Sequence, residues 1–354
     1  MLRTKTCYIK RLEENQFHKL IIGAALKDYQ TIEDYAYYFT HAGADVIDIS
    51  AFPHSVISAR KAIEEAIKEN PNLAEPLIMV SVNIGKDPHF RRIELNEENC
   101  TECLACVPTC PSDAFVILSE ASGSQDRTDE ILTSPAAPQD DKFFYKPDLC
   151  FGCGLCLPSC QFEALKFKNW SAFEPNSLQE LQELGASAIE IHLNNDLEAF
   201  KTFYFNMETE FELESFCIGS AQMNELELRE ATLTIIDTVE TKHGSQKPFI
   251  IQVDGRPMSG ASKNSTDQNC IDAAKSIIDL QSEQVFIQLA GGVTENTFQK
   301  AFEQGLKVNG VAIGSYARKQ ISNRNSKDDR IKEAINIVQN SSNQREHLGQ
   351  MIKL

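Results

Sequence analysis

No apolar run in this 354-residue chain approaches the roughly 18 residues that a membrane-crossing helix needs. Residues 1–19 carry Glu13 and Glu14 and no apolar stretch of the kind found in a secretory leader, so a soluble, cytoplasmic protein is expected. Positive charge is scarce too: 34 Lys and Arg stand against 51 Asp and Glu, a net charge of −17. That balance repels phosphate backbones and anionic lipid, which argues against nucleic acid as the main partner and favours basic docking surfaces.

Isolated cysteine is almost missing. Of eleven cysteines, eight fall in two short stretches, and only Cys7, Cys217 and Cys270 stand elsewhere, without ligand spacing. The first stretch is CTECLACVPTCP, Cys100 to Pro111; the second is CFGCGLCLPSC, Cys150 to Cys160. Each places cysteines at i, i+3, i+6 and i+10. With that spacing, three thiolates from one tight loop hold one cubane while the fourth reaches a second. Two copies predict two [4Fe-4S] clusters with crossed ligands. Cys100, Cys103, Cys106 and Cys160 would hold the first, and Cys150, Cys153, Cys156 and Cys110 the second. Zinc would leave the third and fourth cysteines of each copy unexplained, and disulfides do not suit a reducing compartment. The pattern resembles the bacterial two-cluster ferredoxin module, with Gln161 where that pattern has Pro. Between the copies, residues 119–141 are polar and rich in Ser, Pro and acids, and read as an exposed, mobile loop.

On either side of this module the chain alternates strand-like and helix-like segments. Strands are expected at residues 18–26, 45–50, 77–84, 188–193, 211–219, 248–254, 285–291 and 310–315. Helices are expected at residues 30–44, 55–70, 177–185, 196–207, 224–242, 269–280 and 296–305, with a charged helical segment over 321–354. Eight strands and eight helices in alternation predict an α/β fold of the (β/α)8 TIM-barrel type, with an open doubly wound sheet as the competitor. Residues 17–86 would start the barrel, 88–169 would be the inserted 2[4Fe-4S] module after the third strand, and 176–320 would complete it. An insert in that loop stands on the C-terminal face, over the barrel mouth.

Period-two alternation then sorts side chains. With Ile47 and Ile49 facing the helices, Asp48 and Ser50 point inward, as do Ser81 and Asn83, Glu190 and His192, Gln252 and Asp254, and Gln288. So many inward polar groups need partners or a ligand, and a buried water-filled network is the structural alternative. Asp48, Glu190, His192 and Asp254 are the candidate proton-handling residues, because neighbouring carboxylates raise an imidazole pKa. The loop VDGRPMSG leaves the sixth strand and reads equally as a lid, with Arg256 as an anion clamp, or as a surface turn. Gly291, Gly292, Gly314 and Ser315 end the last two strands, where backbone N–H groups of barrels hold phosphate.

Residues 285–317 resemble flavin-mononucleotide barrels of the dihydroorotate and dihydropyrimidine dehydrogenase type, which implies an FMN at those glycines. Their Ser- or Cys-bearing catalytic loop has no counterpart after residues 191–195. The whole layout, a barrel start, a split cluster module, VDGRPMSG and LAGGVT, resembles the light-dependent period protein family of cyanobacteria. That resemblance implies an iron–sulfur protein that conveys light-dependent redox state to the circadian clock, with clock or redox proteins as partners. A turnover enzyme that passes electrons from the clusters to a flavin or small substrate at the mouth is the alternative.

Overall fold

The computed structural model describes residues 5–119, 141–169, 178–219, 221–255 and 267–351. The chain begins with α1 (Lys5–Glu13), β1 (Phe17–Gly23), α2 (Tyr29–Ala42), β2 (Val46–Ser50), α3 (Pro53–Glu69) and β3 (Leu77–Asn83). Four short strands follow: β4 (Arg91–Leu95), β5 (Phe115–Ser119), β6 (Asp141–Tyr145) and β7 (Leu165–Asn169), paired antiparallel as β4–β7 and β5–β6. Alternation resumes with α4 (Leu178–Leu184), β8 (Ala188–His192), α5 (Leu197–Asn206), β9 (Leu213–Gly219), α6 (Glu225–His243) and β10 (Phe249–Asp254). It ends with α7 (Asp267–Lys275), β11 (Val285–Ala290), α8 (Thr297–Glu303), β12 (Gly310–Ile313), α9 (Ser315–Ser322) and α10 (Lys327–Met351). The long strands close in the order β1-β12-β11-β10-β9-β8-β3-β2, every neighbouring pair parallel. This is a closed (β/α)8 barrel with the cysteine-bearing module inserted after its third strand. No described helix is long and apolar enough to cross a membrane.

The strand alternation divides the core in two. Outward residues such as Ile47, Ile49, Val80, Val82, Ile189, Ile191 and Phe216 join the helices in one large apolar cluster. Inward residues at the N-terminal ends of the strands, among them Phe17, Val46, Met79, Leu213, Ile250 and Phe286, form a second, smaller cluster that plugs the barrel floor. Tyr8 and Leu12 of α1 close this plug from below, and the Tyr8 hydroxyl donates to the Glu212 carbonyl at 2.6 Å. Above the plug the interior turns polar. Asp48, Ser81, Glu190, Ser215, Gln252 and Gln288 are all buried there.

Several sequence expectations shift. α1 was not anticipated, because its charged face hides Tyr8 and Leu12, which it buries. β1 ends at Gly23, whose φ of 149° starts a turn, rather than running to residue 26. Ser315 begins helix α9 rather than ending the eighth strand, and α7 stops at Lys275, with a separate helical turn at Ile278–Leu280. The expected loop 119–141 is shorter at both ends, since Ser119 and Asp141 form the last pair of the β5–β6 ladder. Its interior, 120–140, and the Arg256 loop from 256 to 266 lie outside the described residues.

The module has its own small core, Ile93, Ala114, Phe115 and Leu165 around Cys150 and Cys156. Arg92 ties it to the barrel. This buried guanidinium donates to the Ala25 carbonyl in the first βα loop and, at 3.2 Å, to Asp148 of the module. The Lys27 amide donates to the Asp148 carbonyl at 3.4 Å across the same seam. Arg92→Ala strands the Ala25 carbonyl, at a cost of about 1–3 kcal/mol. Hydrogen exchange is expected to quicken in β4 and β7 of this variant while the barrel strands keep their protection. Unchanged exchange in β4 would mean that Arg92 is not the tie.

Candidate metal centre and barrel mouth

The two cysteine loops repeat each other in backbone as well as in sequence. Glu102 and Leu104, with φ of 53° and 62°, occupy the offsets of Gly152 and Gly154, with φ of 70° and 76°. Asp113 and Glu163, at 49° and 52°, repeat the correspondence after the fourth cysteine. One helical turn, Val107–Thr109 or Leu157–Ser159, separates the third and fourth cysteines in each copy. Only the second copy needs glycine for space. A Cβ at Gly152 would lie 2.1 Å from the Arg91 carbonyl oxygen, and one at Gly154 would lie 2.5 Å from the Phe167 ring. The second loop is therefore pressed onto β4 and β7, with Cys150 and Cys156 buried, whereas Cys103 of the first is exposed.

The sulfurs gather across the copies. Cys100, Cys103, Cys106 and Cys160 line one cavity, walled by Leu95, Phe143 and Phe162. Cys110 joins Cys150 as a near neighbour of Cys153 and Cys156. Backbone amides reach sulfur as well: Ile93 N lies 3.5 Å from Cys150 Sγ and Ala114 N 3.3 Å from Cys110 Sγ. Burial first, and the neighbouring sulfurs next, push the Cys106 and Cys156 thiols up to about 12. Four sulfurs so placed become thiolates together only around a strongly cationic centre, and iron of a [4Fe-4S] cluster fits that donor set.

The barrel mouth is built on Glu190. Its Oε2 accepts from Lys19 Nζ and, at 2.9 Å, from Ser215 Oγ; its Oε1 accepts from Gln252 Nε2 at 2.9 Å and lies 3.1 Å from His192 Nε2. All four lone-pair sites of the carboxylate are engaged. Burial disfavours its charge, but Lys19 and His192 outweigh that and hold Glu190 well below the usual carboxylate range. Above it, His192 Nδ1 lies 3.5 Å from Asp87 Oδ2, His89 Nδ1 lies 2.7 Å from Asp87 Oδ1, and His89 Nε2 lies 3.4 Å from Asp254 Oδ2. Burial opposes charge on both imidazoles. Cys217, Asp87 and Glu190 nevertheless raise His192 well above its usual value, and Asp87 with Asp254 does the same for His89. Among the described residues Asp48 has Ser81 Oγ, at 2.7 Å, as its one close donor; burial, then the Glu190 charge, push its carboxyl up to about 7.

One cavity of about 710 Å³, open solvent included, brings these residues together. Asp48, Glu190, His192 and Asp254 line it, as do Gly291, Gly292, Gly314 and Ser315 from its far rim. Phe151, next to Cys150 in the second cysteine loop, lines the same cavity, so the module does stand over the mouth. Gly291 and Gly292 have φ of 70° and 98°, which only glycine adopts readily. Arg318 of α9 also lines the cavity but donates to the carbonyls of Ile21 and Ile22 at 2.7 and 2.6 Å. Sequence reasoning missed Lys19, Asp87, His89 and Arg318. Lys19 was legible, since Leu20 and Ile22 face outward and the same alternation sends it in; Asp87 and His89 sit in a loop without periodicity.

The comparisons with known proteins agree with this architecture. The model of the light dependent period A C-terminal domain matches residues 180–354, and two models of a 4Fe-4S binding domain match 93–116 and 147–163. Light dependent period A of Synechococcus elongatus is 29% identical over 321 residues, 88% of this chain and 82% of that one. Light dependent period A is thus a homologue of this chain, and residues 180–354 form a domain of its C-terminal type. The chain also carries two 4Fe-4S motifs. Within the module alone, NADH-quinone oxidoreductase subunit I 2 of Streptomyces coelicolor is 35% identical over 80 residues, 21% of this chain and 36% of that one. Among solved structures, a truncated 3-deoxy-D-arabino-heptulosonate 7-phosphate synthase from Thermotoga maritima is similar over 94% of this chain and 88% of that one, at 11% identity and a TM-score of 0.45. A likeness that distant says nothing about chemistry.

Two expectations follow for this light-dependent period A homologue. Cys103→Ala is expected to lose one cluster, or convert it to a three-iron form, while the other is spared; iron and sulfide counts with EPR check it. Unchanged iron and sulfide would break the ligand assignment. Asp48 binds its proton more tightly folded, at about 7, than unfolded, at 3.8. Its cost is therefore absent below pH about 4 and grows as pH rises to about 7. Asp48→Asn should be more stable than wild type by up to about 4 kcal/mol at pH 8 and by much less at pH 5, read from anaerobic thermal unfolding. An equal gap at both values would mean that Asp48 is ionised throughout.

Proposed function

We infer that this iron–sulfur protein is redox-responsive and conveys light-dependent cellular redox state to the circadian clock, through clock or redox proteins that dock on it. When bound, the clusters take up and release single electrons. Cys100, Cys103, Cys106 and Cys160 hold one, and Cys150, Cys153, Cys156 and Cys110 the other. The observation that carries the reading is Phe151. It neighbours a cluster cysteine in the chain and lines the barrel mouth, so the second cysteine loop and the mouth share one wall. Arg92 and Lys27 join the same loop region to the first βα loop of the barrel. A partner that binds near this seam with different affinity for its two arrangements reads the redox state. The name of the Synechococcus relative supports the light and period parts of the reading.

The charged mouth favours a second reading, a ferredoxin-fused barrel oxidoreductase acting on a small substrate there. Asp48, His192 and Asp254 would then move protons, while Glu190, with every lone pair engaged, would hold Lys19 and His192 in place. An FMN phosphate would rest on the amides around Gly291, Gly292, Gly314 and Ser315 alone, because Arg318 is committed to backbone carbonyls.

Anaerobic purification with iron, sulfide and flavin counted on one sample separates the readings. About eight irons per chain without flavin is expected. One flavin per chain would favour the enzyme. Reduction with dithionite is expected to change hydrogen exchange at Lys27 and in β4, and no change there would sink the proposed coupling.

A further inference from the structure

We propose that Asp87, His89 and His192 form a site for one divalent transition-metal ion, separate from the eight cluster cysteines and open to the barrel mouth. One ligand atom from each of the three lies within 4.8 Å of the others. Asp87 presents Oδ1 2.7 Å from His89 Nδ1 and Oδ2 3.5 Å from His192 Nδ1, so both Nδ1 atoms converge on one carboxylate. His192 is 4% exposed, and among the described residues its Nδ1 makes no hydrogen bond, the Asp87 carboxylate standing off at 3.5 Å. A buried, unpartnered ring nitrogen aimed at a carboxylate and a second imidazole calls for a ligand.

The far side of each ring strengthens the case. His89 Nε2 lies 3.4 Å from Asp254 Oδ2, and His192 Nε2 lies 3.1 Å from Glu190 Oε1. Metal-binding histidines are oriented in this way, one nitrogen on the ion and the other N–H on a carboxylate. Local backbone also fixes the loop. Asp87 Oδ1 accepts from the His89 amide at 2.7 Å, and Phe90 N donates to the Asp87 carbonyl at 3.1 Å, which starts the turn Pro88–Phe90. Phe90 then packs edge-on against the His192 ring, 5.1 Å between centroids, and holds it.

A second trio, Glu190, His192 and Cys217, is equally compact. It is the weaker candidate, because both Glu190 oxygens are already taken by Lys19, Ser215 and Gln252. Two imidazoles and one carboxylate suit zinc or iron(II), and three protein ligands leave a position for water or substrate. His89 and His192 both line the mouth cavity, so that position opens where a small molecule would enter.

The test uses the cluster-loaded protein, kept anaerobic, treated with a mild chelator, exposed to Zn2+ and freed of excess by gel filtration. Zinc, iron and sulfide are counted on the same sample. About one zinc per chain is expected in wild type. His89→Ala and His192→Ala should hold none, with iron and sulfide unchanged as the check on folding. Asp254→Asn, which removes the carboxylate behind His89, should bind zinc about 10–100-fold more weakly. The proposal fails if intact protein holds no zinc, if zinc persists in His89→Ala, or if Asp254→Asn binds it as tightly as wild type.

Discussion

The ion pair between Lys19 and Glu190 constrains everything above the barrel floor. Both side chains are fully buried, 1% exposed each. Removing such a pair from water costs several kcal/mol per ion, and mutual attraction offsets this only when the remaining lone pairs find donors. Glu190 meets that condition through Ser215, Gln252 and His192, which come from three different strands. The apolar plug beneath, from Phe17 to Phe286, keeps water from competing with these bonds from below. The polar layers above inherit their orientation from it. His192 takes its ring angle from Glu190, which turns Nδ1 toward Asp87, and Asp48 is left as a fourth carboxyl without a cation of its own.

The inserted module makes use of the face where that polar interior opens. Its two halves have nearly the same backbone, yet they are not equivalent. The second half is packed against β4, β7 and the first βα loop, and its Gly152 and Gly154 record that contact in the sequence. The first half has Glu102 and Leu104 at the same left-handed positions, where no neighbour forbids a side chain. Exposed Cys103 lies on that outer half, and exposed Phe162, two residues past Cys160 of the second copy, lines the same cavity. One half thus faces the barrel and the other faces solvent.

Where spacing or periodicity is rigid, the sequence was a good guide. The cysteine offsets placed the module, and the period of two in DVIDIS, LIMVSVN and AIEIH sent Asp48, Ser81 and Glu190 inward because a one-residue slip would bury the opposite face. Two kinds of feature resisted. Among the described side chains of helix α1, Tyr8 and Leu12 are the fully buried anchors, too few to mark a periodic face. Asp87 and His89 lie in a loop, and their meeting with His192, more than a hundred positions away, follows from barrel closure rather than from any local pattern. Lys19 was readable but unread. A lysine inside a strand suggests an edge or a surface until its partner is known.

Asp48 gives the mouth a means of sensing charge nearby. A group held near 7 changes protonation in response to small electrostatic changes, whereas Glu190, held far below, does not. A unit charge about 10 Å away in a medium of effective dielectric about 20 contributes about 1.7 kcal/mol, enough to move such a carboxyl by about one pH unit. The second cysteine loop shares Phe151 with this cavity and is the part of the module pressed onto the barrel. If the redox-responsive reading holds, a change of charge in that loop would bear on Asp48 before the saturated Glu190 network. The response is local to the mouth, and the barrel beneath it need not move.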